Sequence, residues 1–447
     1  MRGEALAEIL RRFSGDHQVL LTLSGILSVN QLLKDAEDLY RRSSATSRSR
    51  IALYGLPAID FITSLVAFDG KVEAMLLLPV SLDEAATLRL VESAGCTHYM
   101  DAENIVEVSR EQEECRFSEA KVESESEATQ WLLATSGTTG RPKLIGHTLA
   151  SLSRSVKRDL EKGRCFVWGL LYDPSRFAGI QVVLQALLSG SLLLVSESVD
   201  FESQIEGLLQ NKVNALSATP SLWRKLLMDG RIKVCRLQQI TLGGEIADQH
   251  ILDGLKRQFN GARIVHIYAS TEAGTAFSVY DGRAGFPAIW IQNISAPLPL
   301  RIRDDGHLLV RPLLLPEGHE IVQRLDSDGY LDTEDMVRVE GDRVIFLGRA
   351  SGAINVGGNK VTPEYIEGCI REVNGVHDVR VFGKKSSMIG QIVAAEIVPY
   401  QGLEAKRLRS EILHYCKLNM ESWQIPGIIT FVDELKENSA GKLERLT

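Results

Sequence analysis

Thr135-Ser136-Gly137-Thr138-Thr139-Gly140-Arg141-Pro142-Lys143 packs four hydroxyl side chains, two glycines and a lysine into nine residues. Those residue types suit a polyphosphate. Glycines let the backbone approach the anion, hydroxyls and N–H groups donate to it, and Lys143 supplies a point charge. The spacing is not that of a Walker loop, G-x-x-x-x-G-K-[ST]. Gly137 and Gly140 are three apart, Lys143 follows the second glycine by three, and Pro142 blocks immediate continuation into a helix. Taken alone, such a cluster reads first as a polar surface turn between a strand and a helix.

The elements that must position this loop come next. Trp131-Leu132-Leu133-Ala134 is an apolar run that reads as a buried strand leading in. His147 to Lys162 leads out, with Leu149, Leu152, Val156 and Leu160 at the spacing of an amphipathic helix. Upstream, strand-like Ile51–Tyr54, Ala74–Leu78 and Thr97–Met100 alternate with helix-like Ala58–Phe68 and Asp83–Ser93. Downstream, strands at Cys165–Leu171, Ser191–Val195, Ala215–Ala218, Gln239–Leu242 and Ile264–Tyr268 alternate with helices at Phe177–Leu188, Phe201–Leu209 and Ile251–Phe259. Such alternation predicts mostly parallel sheets, with ligands at the carboxyl ends of the strands. The N-terminus carries two helix-like stretches, Ala5–Phe13 and Val29–Arg42, and Glu107–Glu127 reads as a solvated acidic connector. From Asp281 the pattern becomes β-rich, consistent with a small barrel. Beyond Arg349, a helix at Thr362–Val373, strands at Val376–Phe382, Ile392–Val398 and Ile428–Val432, and a helix at Leu403–Leu418 form an α+β unit. The expected fold is therefore a large α/β N-terminal domain over residues 1–349 and a smaller α+β domain over residues 350–447.

Composition narrows the function. The 447 residues are 44% apolar and 24% charged, ordinary for a globular protein. A net charge of −8 argues against nucleic acid as a main partner, because no broad basic field can neutralise its phosphates. The six cysteines contain no C-x-x-C pair and the histidines show no ligand spacing, which fits reduced thiols and a cytoplasmic location. No apolar run approaches the ~18 residues of a membrane span, and the N-terminus lacks an apolar signal core.

Five further segments follow the loop in order. Gly243-Gly244-Glu245 and Tyr268-Ala269-Ser270-Thr271-Glu272 end strands; Tyr330 to Asp335, Gly348-Arg349 with Ile354 to Glu367, and Asn438-Ser439-Ala440-Gly441-Lys442 come later. Together with the nonapeptide they resemble the motif series of the adenylate-forming superfamily (acyl- and aryl-CoA ligases, nonribosomal peptide adenylation domains, luciferases). The resemblance covers roughly Trp131 to Lys442. It implies that Thr135, Ser136, Gly137, Thr138, Thr139, Gly140 and Lys143 hold the ATP phosphates, that Gly243, Gly244, Glu245 and Tyr268 flank the nucleotide, and that Asp335 chelates the ribose with Arg349 assisting. The same resemblance implies that Thr271 touches the α-phosphate, that Glu272 holds Mg²⁺, and that Lys442, five residues from the end, is the catalytic lysine. Three departures stand out: Glu334 replaces the glycine of the family's T-G-D motif, the acidic hinge residue is Ser351, and an expected lysine is Asn355.

The implied reaction has two steps. A carboxylate attacks the α-phosphorus of ATP and expels pyrophosphate, and a thiol then displaces AMP. The thiol is that of CoA, or alternatively of a carrier-protein phosphopantetheine; a nucleotide-binding relative without catalysis is a further alternative. The small domain is expected to move between the two steps. Arg176, Phe177 and Gly179 fall where relatives gate the acid, Arg176 in the usual histidine slot and Phe177 as the other gate. Arg176 either recognises a second group on the acid or pairs with Asp173. The compact N-terminal region points to an aromatic or short acid. The expected assembly is a monomer or homodimer.

Overall fold

The computed structural model describes residues 4–22, 25–102, 104–107, 128–135, 143–196, 200–313, 324–386, 390–400, 402–436 and 443–444. Two mostly parallel sheets form its larger part. In the eight-stranded sheet the order is Gly274–Val279, Arg263–Ser270, Gln239–Gly243, Ala215–Ala218, Val167–Leu170, Leu192–Val195, Gln18–Thr22, Gly25–Ser28. The six inner strands run parallel and the two edges antiparallel. In the six-stranded sheet the order is Ile105–Glu107, His98–Met100, Arg50–Tyr54, Ala74–Leu78, Gln130–Thr135, Lys143–His147, again parallel inside antiparallel edges.

Inner strands of such sheets are covered on both faces, so they read as unbroken apolar runs rather than alternating ones. Ala74–Leu78 is buried at every residue. One core joins the sheets: Leu20 and Leu193 of the first meet Leu53, Met75, Leu77 and Trp131 of the second, with Phe61–Phe68 and Ile180–Leu188 from two apolar helices between them.

A five-stranded antiparallel sheet (Phe286–Pro287, Arg343–Arg349, Leu331–Glu340, His307–Val310, Leu300–Ile302) takes the place expected for the small barrel. The smaller C-terminal domain is built on Asn359–Val361, Ile354–Val356, Gly390–Pro399 and Val376–Ser386, with Ile428–Phe431 pairing on Gly390–Pro399. Helices Pro363–Arg371 and Ala405–Asn419 cover it.

Three local expectations change. The stretch leaving the nonapeptide is not one helix. Lys143–His147 is a strand antiparallel to Gln130–Thr135, followed by single turns at Leu149–Leu152 and Leu160–Gly163. Hydroxyls divert the backbone here: Thr148 caps Ser151 N–H, Ser151 Oγ returns to the Thr148 N–H, and Arg158 bonds Ser153 Oγ. The first helix is only Leu6–Leu10, followed by the strands Gln18–Thr22 and Gly25–Ser28. A helix at Pro220–Asp229 appears after Thr219, which caps it by accepting Leu222 N–H at 3.1 Å. The acidic connector falls almost wholly outside the described residues.

The domains meet through buried charge. Arg371 Nη1 lies 3.3 Å from Asp248 and its Nε 2.9 Å from Asp378, and Arg224 also pairs with Asp248. None of these four side chains is more than 17% exposed. Near the opposite end of the chain, the buried Asp69 carboxylate accepts the Leu6 N–H and the Trp131 indole N–H, both at 2.8 Å. It thereby ties the first helix to the strand that enters the nonapeptide.

Burial pushes the Asp69 carboxyl up to about 6, from an ordinary value of 3.8, against the lowering effect of its two donors. Between these values the folded state holds a proton that the unfolded chain has lost, so Asp69 makes stability fall as pH rises from about 4 to about 6. Urea titrations across that window are expected to show this slope in the wild type and a flatter one in Asp69→Asn.

Candidate active site

Thr135 and Lys143, the first and last residues of the nonapeptide, face each other in register where the two antiparallel strands part. Thr135 Oγ1 donates to the Lys143 carbonyl at 3.5 Å. Ser136, Gly137, Thr138, Thr139 and Gly140 lie outside the described residues, as does Lys442.

Thr271 and Glu272 sit at the tip of the hairpin between Arg263–Ser270 and Gly274–Val279, both half-buried. Ser270 Oγ accepts the Ala273 N–H at 3.0 Å and closes the tip from inside. Tyr268, two residues before Ser270, stacks between Phe277 and Phe346 at 5.0 Å from each. Its hydroxyl donates to Asp335. Burial raises the phenol far above its ordinary range and the Asp335 carboxylate adds to this, so Tyr268 stays a neutral donor.

Asp335 stands opposite Arg349 on the neighbouring strand, whose Nε is 3.3 Å from Asp335 Oδ1. The Asp335 N–H donates to Thr333 Oγ1 at 3.2 Å, and Thr333 donates to the Leu308 carbonyl at 2.8 Å. Glu334, in the glycine position, has φ +61°. It adopts the left-handed backbone that glycine reaches without cost, so the turn keeps its shape despite the substitution. The Asp332 carboxylate helps to hold it by accepting the Glu334 N–H at 2.8 Å.

Gly243 ends its strand, and its carbonyl accepts the buried Tyr172 hydroxyl at 3.4 Å. Gly244 turns the chain at φ +83°. Glu245 then bridges two backbone donors, Ser221 N–H at 2.9 Å and Leu443 N–H at 3.0 Å. The second contact brings the far end of the chain onto the large domain, and Arg380 secures it by donating to the Glu444 carbonyl at 3.1 Å.

The acid-gate residues divide. Arg176 lies 3.9 Å from the Asp173 carboxylate and donates to Ser81 Oγ at 3.2 Å. Phe177 faces His147 with ring centroids 5.9 Å apart. Gly179 is a steric necessity: a Cβ there would stand 2.1 Å from the Asp173 carbonyl oxygen. A separate pocket of about 160 Å³ lies between Leu170, Leu194, Val195, Gln204 and Gly207, and none of the residues named above lines it. In the hinge region, Asn355 Oδ1 accepts the Gly358 N–H at 3.0 Å and closes the hairpin turn, a task a lysine there could not perform. Ser351 lies in the short turn Ala350–Gly352.

The structure thus joins Tyr268, Asp335 and Arg349 in one bonded set, and places Glu245 under the chain terminus. Sequence reasoning missed His147, which reaches Thr271, and the pairs that hold the small domain in place. For His147 a signal existed: it lies on the same strand face as Lys143 and Ile145, four residues after the lysine.

Comparison with known proteins identifies the class. Residues 65–305 match the AMP-binding enzyme family and residues 365–442 the AMP-binding enzyme C-terminal domain. The chain belongs to this family, the adenylate-forming superfamily. Among curated relatives, the 2-succinylbenzoate–CoA ligase of Listeria innocua serovar 6a is 25% identical over 71% of this chain and 69% of its own. A mitochondrial acyl-coenzyme A synthetase of Mus musculus is 26% identical over 78% of this chain and 64% of its own. An anthranilate CoA ligase solved with anthranoyl-AMP superposes with a TM-score of 0.75 at 16% identity, covering 98% of this chain and 95% of that one. The o-succinylbenzoate CoA synthetase of Bacillus subtilis, solved with its acyl-adenylate intermediate, gives 0.71 at 18% identity over 99% and 97%.

The left-handed Glu334 provides a test of the site's scaffold. Glu334→Gly is expected to stabilise the protein by up to about 1 kcal/mol, and Glu334→Val to destabilise it by at least that amount. Urea denaturation midpoints at constant slope would decide.

Proposed function

We propose that this chain activates an aromatic or short-chain carboxylic acid with ATP, forming an acyl-adenylate and pyrophosphate, and passes the acyl group to CoA as a thioester. The observation that carries this reading is the bonded set Tyr268–Asp335–Arg349, three residues from three separate motifs meeting in one place. A carboxylate so held presents acceptors to the ribose hydroxyls, and Tyr268 fixes its orientation from below.

Thr135 and Lys143, with Ser136, Gly137, Thr138, Thr139 and Gly140 between them, cradle the phosphates. Thr271 meets the α-phosphate, and Gly243 and Gly244 give the adenine a flat backbone surface. Glu272 receives Mg²⁺. Among the described residues no group of three carboxylate, histidine or cysteine side chains forms a preformed cage. A single carboxylate at a hairpin tip fits Mg²⁺ arriving with the triphosphate, since that ion keeps waters and phosphate oxygens as its other ligands. The ion would offset charge on the phosphates.

Lys442 bridges the acid carboxylate and the α-phosphate as negative charge develops. The Leu443 N–H on Glu245 supports this, because the residue next to Lys442 is already held at the Gly243-Gly244-Glu245 turn. Residues 350–447 act as a mobile domain that closes over the labile acyl-adenylate, excludes water, and then turns to admit the thiol. Phe177, with His147 behind it, walls an acid pocket suited to a ring. Arg176, held by Asp173 and Ser81, shapes its entrance. CoA is preferred over a carrier protein because the curated relatives named above are CoA ligases. The enzyme is placed in the cytoplasm, in keeping with its scattered thiols; among the described residues no helix is long and apolar enough to cross a membrane.

Acid-dependent exchange of labelled pyrophosphate into ATP, run over a panel of aryl and short acids, tests the first step. Lys442→Ala is expected to lower the exchange rate by about a hundred- to a thousandfold, the usual cost of one preorganised donor. If no acid supports exchange, the reading fails. Trapping the acyl group on CoA or on a holo-carrier protein then assigns the acceptor.

A further inference from the structure

The strand Lys143–His147 ends on a histidine that is only 4% exposed and whose ring reaches out of its own sheet. Nε2 lies 2.8 Å from the carbonyl oxygen of Thr271, at the tip of a hairpin belonging to the eight-stranded sheet. A carbonyl can only accept, so Nε2 carries the proton. In the neutral ring Nδ1 is then the acceptor, 3.1 Å from the Ser151 hydroxyl. Burial pulls the imidazole below its ordinary pKa, against the raising effects of the Thr271 bond and the nearby Glu272 carboxylate. The Nε2 proton is thus committed to the Thr271 carbonyl.

Two neighbours brace the same region. Arg154 donates to the Thr275 carbonyl at 2.8 Å and the Ser155 hydroxyl to Thr275 Oγ1 at 3.3 Å. Both act on the return strand of the hairpin, whereas His147 grips the tip's own backbone. The hairpin tip is short, and a displacement of its backbone moves the Glu272 carboxylate with it. Lys143, the phosphate-loop residue, is on the same strand as His147, with its side chain on the same face. One imidazole therefore ties the two sheets together near the point where both would send residues toward the triphosphate.

We infer that His147 is a positioning residue: through the Thr271 carbonyl it fixes the Thr271–Glu272 tip relative to the strand that leaves the phosphate loop, so that Mg·ATP meets both sheets at one spacing. This rests on the reading of Thr271 and Glu272 given above.

Two near-isosteric variants of the full chain separate this role from simple packing. His147→Gln can place its amide N–H where Nε2–H stands, whereas His147→Asn reaches only to the position of Nδ1. Titration calorimetry with Mg·ATP is expected to give a Kd about tenfold weaker in His147→Asn and within about twofold of wild type in His147→Gln, the scale of one lost hydrogen bond. Pyrophosphate exchange should show the same order in KM for ATP. A purely structural role would lower the melting temperature of both variants and leave the Kd of the folded fraction alone. Equal Kd in His147→Asn and wild type, or no recovery in His147→Gln, overturns the inference.

Glu272→Gln, measured in parallel, keeps the two levels apart. If it weakens Mg·ATP binding and His147→Asn does not, only the positioning role is lost. If Glu272→Gln leaves binding intact, the underlying reading of the tip falls as well. Should His147→Asn not fold, Ser270→Ala loosens the same tip from inside, and unchanged Mg·ATP affinity there overturns the inference.

Discussion

A guanidinium removed from water must find carboxylates, and Arg371 of the small domain finds them on both sides of the domain boundary. Asp378 comes from its own domain and Asp248 from the large one, where Arg224 shares Asp248. Asp248 is already committed locally, capping its helix by accepting the Ile251 N–H at 3.0 Å. Burial alone would push this carboxyl up, yet the two guanidiniums hold it below the ordinary range. Buried ion pairs add little net stability, because desolvation offsets much of the attraction. They do punish any misplacement, since a shifted partner leaves a charge buried and unpaired. Such a contact selects one arrangement of the two domains without gluing them together, and in that arrangement the Leu443 N–H reaches Glu245.

What could be read along the chain was whatever repeats locally. Met75-Leu76-Leu77-Leu78 and the alternation of such runs with helices gave the α/β architecture, because strands buried on both faces leave no other pattern. Reading failed where a side chain competed with the backbone. Leu149, Leu152 and Val156 do point toward the core, but Ser151 and Ser153 divert the hydrogen bonds a continuous helix would need. Thr219-Pro220 has the residue types of a helix start, a cap followed by proline at the first helical position. The strands Gln18–Thr22 and Gly25–Ser28, of five and four residues, are too short to show a periodicity of their own.

The motif residues show why order along the chain carried more information than any one of them. Tyr268, Asp335 and Arg349 are individually ordinary polar residues on three different strands. Their meeting depends on register, Asp335 opposite Arg349, and on the aromatic stack that stands Tyr268 upright. Register between distant strands is not written in local periodicity. Departures from the family pattern proved equally local. Glu334 accepts the strained backbone of the glycine it replaces, and Asn355 takes up a turn-closing bond, so each substitution is answered within a few residues.

Distant pairs were the least legible part: Arg371 and Asp248 are 123 residues apart, His147 and Thr271 124, and Leu443 and Glu245 198. Two of these contacts join one domain to another, and His147–Thr271 adds a polar tie between two sheets that one apolar core already joins. That division has a physical consequence. Apolar cores fix the sheets, because any slip would expose buried surface. Hydrogen bonds and ion pairs, whose partners water can replace, fix only how the bodies face each other. The reaction proposed above, which would need water excluded for one step and the site open for the next, would be served by domains with apolar cores and a polar seam between them, and here that seam includes Glu245.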